Sequence, residues 1–106
     1  MKIHNGSQYT LVNVDEMTTI ELEKKFLSFN ENHLLLQLSK NENIIKKNIP
    51  LFQKIAKLLK ESGLSFIMIA KELDIDNFPE NLNIVPTLQE AKDLLEMEAI
   101  ERDLGF

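Results

Sequence analysis

The stretch HLLLQL at residues 33–38 decides the fold of this chain, because four of its six residues are leucines. A nearly continuous apolar run of this length is typical of a β-strand that helices cover on both faces. Two further runs, SFIMIA at residues 65–70 and LNIV at residues 82–85, have the same character. The sequence therefore predicts the inner strands of a parallel sheet.

Helical patterns lie between and after these strands. Thr18 and Thr19 introduce a segment, residues 20–29, whose apolar residues have roughly helical spacing. A second segment, residues 49–60, follows Asn48 as a predicted N-cap, and Gly63 is placed to end this helix.

The last helix has its own start signal. Thr87 and Glu90 have the spacing of a capping box, in which each side chain accepts a hydrogen bond from the other residue's amide. The pattern predicts a helix from Thr87 to about Leu104.

The amino-terminal residues complete the predicted sheet. Residues 2–4 and 9–14 alternate in polarity around Gly6, which predicts a β-hairpin with one antiparallel edge strand. The full prediction is a single α/β domain over residues 1–106. It has a mixed sheet of about five strands, right-handed parallel crossovers and about four helices.

Composition narrows the possible functions. A formal charge of −5 argues against nucleic-acid binding, which needs clustered cations. Without cysteine there is no disulfide, thiolate metal site or thiol nucleophile. No run of eighteen apolar residues occurs, and the first residues do not form a signal peptide. We therefore expect a cytoplasmic protein without membrane insertion, metal or cofactor.

Two polar features lack the partner residues that a catalytic or metal site requires. His4 and His33 lack a sequence partner for general-base catalysis, so a structural or surface role is favoured and no catalytic residue is predicted. Asp74 and Asp76 lie in an acidic connector that lacks the glycine and glutamate of a calcium loop. In the same connector Phe78 is expected to fold back over the sheet edge rather than to stand exposed.

The strings LQLS at residues 36–39 and PTLQEA at residues 86–91, with this order of elements, resemble the STAS domain of anti-sigma factor antagonists. The resemblance implies a STAS-like fold and a protein-binding role. The phosphoacceptor serine of that family lies in a stretch that corresponds here to residues 44–49. These residues contain no hydroxyl, so the phosphorylation switch is expected to be lost. Ser39 is a remote substitute.

Residues 85–106 also resemble a group of short bacterial proteins often labelled ribonuclease Z. That activity needs a histidine and aspartate cluster that holds two zinc ions, whereas this chain has two histidines about thirty residues apart. The label is therefore not taken as a statement of chemistry.

Two regions are candidates for partner binding. Lys46, Lys47 and Asn48 stand before a predicted helix, where they could receive an acidic partner or a small anion, or be solvated surface. The segment from Thr87 to Phe106 carries six acids against two bases, nearly all of the net charge. Its candidate binding residues, for a basic partner, are Glu98, Glu101, Asp103 and Phe106. The alternative is a solvated acidic face.

The sequence favours a non-enzymatic protein-interaction domain. The alternative is a small-ligand or nucleotide-binding domain that uses the carboxyl ends of the strands, near Ser39, Ala70 and Pro86. An enzyme with an unfamiliar site at His33 or an acid pair is a third possibility. The oligomeric state and the identity of the partner stay open.

Overall fold

A computed structural model describes residues 9–15, 17–38, 42–71 and 78–105 of the chain, with backbone alone for residues 42–44. In chain order the elements are β1 (Tyr9–Asn13), α1 (Thr19–Phe26), β2 (His33–Gln37), α2 (Glu42–Lys47), α3 (Ile49–Glu61), β3 (Phe66–Ile69), β4 (Asn83–Val85) and α4 (Leu88–Asp103).

The strands form one sheet in the order β1-β2-β3-β4, and every pair is parallel. The α/β class is confirmed, but the predicted count of five strands is wrong, because the described sheet has four. Tyr9–Asn13 pairs in parallel with β2, since α1 carries the chain back to the same end of the sheet before the next strand begins. The predicted hairpin partner, residues 2–4, lies outside the described residues.

Alternating side chains of the buried strands enter two separate apolar clusters. Leu34 and Leu36 enter the larger cluster, together with Phe52 of α3. Leu35 points to the other face and belongs to a smaller cluster with Leu95 of α4. Burial on both faces explains why β2 and β3 are apolar at nearly every position rather than at alternate ones.

The helices divide between the faces according to the connections they make. The larger cluster contains buried residues of α1, α2 and α3, which all lie between strands. Phe78 and Leu82, from the connection between β3 and β4, are 7% and 5% exposed in the same cluster. The expected return of Phe78 over the sheet is confirmed. Asp74 and Asp76 of the predicted acidic connector lie outside the described residues.

The helix ends differ in how well the sequence predicted them. Gly63 closes α3 with φ of +76°, a left-handed conformation that favours glycine, as expected. The Thr87 hydroxyl accepts a hydrogen bond from the Glu90 amide at 3.1 Å. The Glu90 carboxylate accepts from the Thr87 hydroxyl, at 3.4 Å, and not from the Thr87 amide, so only half of the predicted capping box forms. The complete capping box is instead at α1, where Thr18 and Glu21 bond reciprocally.

The prediction that the Asn48 side chain caps α3 by a hydrogen bond is wrong. Asn48 does occupy the N-cap position of α3, but its side chain makes no hydrogen bond to the helix amides. Its Oδ1 accepts from the Thr19 hydroxyl at 2.7 Å, which ties the start of α3 to the start of α1. A tertiary contact has replaced the local one, because Asn48 is buried between two helices.

The capping box of α1 makes a pH-dependent contribution to stability. The Thr18 amide and hydroxyl stabilise the carboxylate and lower the pKa of Glu21. A pKa that is lower in the folded chain adds stability above the pKa of the unfolded chain, and the gain is lost as pH falls through the folded pKa. Glu21→Gln should therefore destabilise the protein at about pH 7 and have a vanishing effect at pH values below the lowered pKa.

Urea unfolding of both proteins between these pH values measures this difference. Glu23→Gln removes an exposed acid of the same helix that takes no part in the cap, and it serves as the matched control. A Glu21→Gln effect that is equal at both ends of the pH range would contradict the assignment.

Candidate functional site

Helix α4 has an apolar stripe on the side that faces away from the sheet. Ala91 and Leu95 are buried against the sheet. At 3.6 residues per turn, Met97, Ile100 and Leu104 fall on the opposite side of the helix. Their exposed fractions are 56%, 57% and 65%, respectively. Large apolar side chains are thus exposed in a row on a helix whose other face already belongs to the core.

Acidic side chains border this apolar stripe. Asp93, Glu96, Glu101 and Asp103 are all exposed, as is one base, Lys92. We call this acid-bordered stripe the outer surface of α4. It contains two of the residues proposed from the sequence, Glu101 and Asp103, next to the exposed Ile100 and Leu104.

Glu98 does not belong to that surface, although the sequence grouped it with the other acids. The Ser65 hydroxyl donates to its carboxylate, and the Asn83 side-chain amide donates to it at 3.2 Å. Arg102 donates to the Ser65 oxygen at 2.9 Å and has a nitrogen 4.0 Å from Glu98. These four residues form what we call the Ser65 cluster, which attaches α4 to the start of β3 and to β4.

Sequence reasoning missed Ser65 and Arg102. The available signal was the spacing of Glu98 and Arg102, four residues apart on one helix, which places both on one side. Because that side also carries Leu95, it had to face the sheet. Arg102 therefore leaves the solvent-exposed side of α4, and the outer surface is more acidic than the net charge of the helix suggests.

His33 has a structural role in the strand arrangement. It is 4% exposed, and its Nδ1 accepts a hydrogen bond from the Ser65 backbone amide at 2.8 Å. Accepting this bond requires a lone pair on Nδ1, so the ring proton is on Nε2 in the neutral form. His33 thereby holds the residue that precedes β3. His4 lies outside the described residues.

A groove of about 970 Å³ lies between α3 and α4. Ser65, Phe66 and Asn83 contribute to it, so it opens at the amino ends of β3 and β4. A smaller cavity of about 330 Å³ lies beside β4, between Phe78 and Leu94. The ligand-binding alternative predicted from the sequence uses the opposite, carboxyl ends of the strands. There Ala70 is buried and Pro86 exposed, and Ser39 lies outside the described residues.

The remaining predicted binding residues are dispersed. Lys46 and Lys47 are exposed in the last turn of α2, a helix where the sequence suggested a loop. Asn48 is buried and hydrogen-bonded to Thr19. Of these three residues, therefore, only the two lysines have exposed side chains. Phe106 lies outside the described residues.

Two further properties belong to the part of the chain that the structure describes. Within it, no group of three or more acidic or histidine side chains is arranged to hold a metal ion. Likewise, none of its helices has the length and apolar character that crossing a membrane requires.

Comparisons with known proteins add no relative. The chain matches no protein family, no curated protein and no solved structure. The resemblances to STAS domains and to proteins labelled ribonuclease Z therefore stay predictions from short strings, and the arguments for function rest on the geometry of the chain itself.

Proposed function

We propose that this chain is a non-enzymatic protein-interaction domain that docks a basic partner on the outer surface of α4. The observation that carries the proposal is the exposed row of Met97, Ile100 and Leu104. Contiguous exposed apolar side chains with a polar border are typical of interaction sites, whereas single exposed ones need no explanation.

The acids around the row define the chemistry of the partner. Glu101 and Asp103, with Asp93 and Glu96, surround the apolar side chains with negative charge. Acids near the carboxyl end of a helix oppose its dipole, so helix stability does not account for Glu101 and Asp103. A partner with an apolar strip bordered by Lys or Arg would complement both features, and its charges would also speed association.

A second copy of the chain is a poorer occupant of this surface. Two α4 helices packed through the same stripe would bring the acids of both copies together around one interface. Like charges at such an interface cost binding free energy, whereas a basic partner turns the same acids into favourable contacts.

The resemblance to anti-sigma factor antagonists supports the same class of function from the sequence side. We extend the proposal to a STAS-like binding role without the phosphorylation switch, since residues 44–49 offer no hydroxyl. This extension rests on the sequence strings alone, and the docking proposal does not depend on it.

A direct test uses a fluorescent amphipathic helical peptide of leucine and lysine as the probe. Fluorescence anisotropy should show saturable binding to the intact chain. Ile100→Ser with Leu104→Ser should weaken it at least about tenfold, since each side chain loses apolar burial. Glu101→Gln with Asp103→Asn should weaken it too, with a smaller salt dependence.

The chain supplies matched controls for each variant. Ile20 on α1 is 64% exposed and isolated from the stripe, so Ile20→Ser should leave binding unchanged. The double variant Glu23→Gln with Glu61→Gln removes two exposed acids elsewhere in the chain, and it is the control for Glu101→Gln with Asp103→Asn. A leucine and glutamate peptide of the same pattern should not bind. The docking site would be refuted if the Ile100→Ser/Leu104→Ser variant bound the peptide as tightly as the Ile20→Ser variant. It would also be refuted if the intact chain formed a dimer that the two serine substitutions dissociate.

A further inference from the structure

The groove between α3 and α4 has one wall lined with positive charge. Lys54, Lys57 and Lys60 line it from α3, spaced three residues apart and therefore on one side of that helix. Among the residues that the structure describes, no carboxylate lies within ion-pair distance of these three ammonium groups. An anion in the groove would supply these lysines with an ion-pair partner.

The opposite wall presents an oriented guanidinium group. Arg102 lines the groove with its side chain 32% exposed, and one of its nitrogens is held by Ser65 and approached by Glu98. A guanidinium has five N–H donors, so this fixation leaves others available to a ligand. Ser65, at 3% exposure, and Glu98 act as positioning residues, because they hold the planar group before any ligand arrives.

The floor and the rim limit which anions fit. Ala56, Leu64 and Phe66 contribute apolar surface between the two charged walls. Glu80 and Glu101 also line the groove and would repel a ligand with several negative charges. A volume of about 970 Å³ lies at the upper end of the range found for small-molecule sites.

We infer that this groove binds a small organic anion, with one carboxylate or phosphate group on an apolar body. The anionic group lies between Arg102 and the lysines of α3, and the apolar body rests on Phe66 and Leu64. The site shares Glu101 with the outer surface of α4, but Met97, Ile100 and Leu104, the apolar row of that surface, do not line the groove. It is also distinct from the carboxyl strand ends where parallel sheets commonly bind ligands.

Titration of the isotopically labelled full chain, followed by amide chemical shifts, tests the inference. Benzoate and phenyl phosphate are the two probes, and the tighter one identifies the preferred anionic group. We expect saturable shifts at residues 64–66 and near Arg102, with low-millimolar or tighter dissociation constants. Benzamidine, a cation with the same ring, and inorganic phosphate, without the ring, should bind at least about tenfold more weakly.

Variants connect the shifts to the proposed residues. Arg102→Gln should weaken binding at least about tenfold, because a charged hydrogen bond is lost. Lys57→Gln with Lys60→Gln should do the same and tests the site independently, since both lysines are exposed and the fold does not depend on them. Glu101→Gln should bind as tightly as the unaltered chain or more tightly. Lys24→Gln, an exposed lysine on α1, is the neutral control.

Three results would overturn the inference. The first is the absence of saturable shifts for both probes. The second is inorganic phosphate binding as well as phenyl phosphate, which would indicate only a charged surface. The third is a lysine double variant that binds as the Lys24 control does. Loss of peptide docking on α4 would leave the groove result unaffected, so the two proposals fail separately.

Discussion

Replacing Phe52 with alanine should lower the free energy of unfolding by about 3–5 kcal/mol, among the largest losses for a single core truncation. Phe52 is fully buried in the middle of the larger cluster, and its ring lies 6.3 Å from that of Phe66. This contact joins α3 to β3 across the sheet face. Its removal leaves a cavity whose walls are strand and helix backbones that cannot close over it.

Urea unfolding measures this loss as a lower midpoint at unchanged slope. Leu58→Ala, on the same helix at 36% exposure, is the matched control and should cost about 1 kcal/mol or less. Equal midpoint shifts for the two variants would mean that Phe52 is not at the centre of the core.

Replacing Leu95 with alanine should cost about 2–5 kcal/mol and should loosen α4 in particular. Leu95 is 1% exposed and belongs to the smaller cluster, which has five buried residues in all. It is the largest buried side chain that α4 contributes to that cluster. Few other contacts can take over its role, so the helix loses much of its apolar attachment to β3 and β4.

Hydrogen exchange separates this local effect from global unfolding. In Leu95→Ala, amides of α4 should exchange faster by a larger factor than those of α3. Met97→Ala truncates an exposed side chain of the same helix and should leave both rates almost unchanged. Uniform acceleration throughout the chain would contradict a separately held α4.

The elements that sequence reasoning predicted best are those whose environment is set by burial alone. The runs at residues 33–38 and 65–70 contain β2 and β3, and α3 starts at Ile49 and ends one residue beyond the prediction. Each of these segments is so apolar that it must be buried in the interior of the fold. The edge of the sheet was harder, because the alternation in residues 9–13 suits a parallel and an antiparallel neighbour equally well.

The candidate sites show the same limit. The exposure of Ile100 and Leu104 agrees with helical periodicity, which is a local property of the sequence. The side of α4 that carries Glu98 follows from the same periodicity, but its hydrogen-bond partners Ser65 and Asn83 lie 33 and 15 residues away in the chain. Likewise, the bond from Thr19 to Asn48 spans 29 residues and replaces a local cap. Polar contacts over such separations leave no periodic trace in a sequence.

The order of strands in the sheet is also the order in which a ribosome would produce them. Each of the four described strands pairs with its neighbours along the chain, and the largest separation between their paired residues, as from Leu34 to Phe66, is 32 residues. Shorter separations lower the entropic cost of closing each loop. The sheet can therefore grow by one strand at a time during synthesis. None of the four described strands has to be inserted between two strands that were made earlier. Helix α4, which packs on the face opposite the other helices, would be made after all four strands and would complete the groove as it docks.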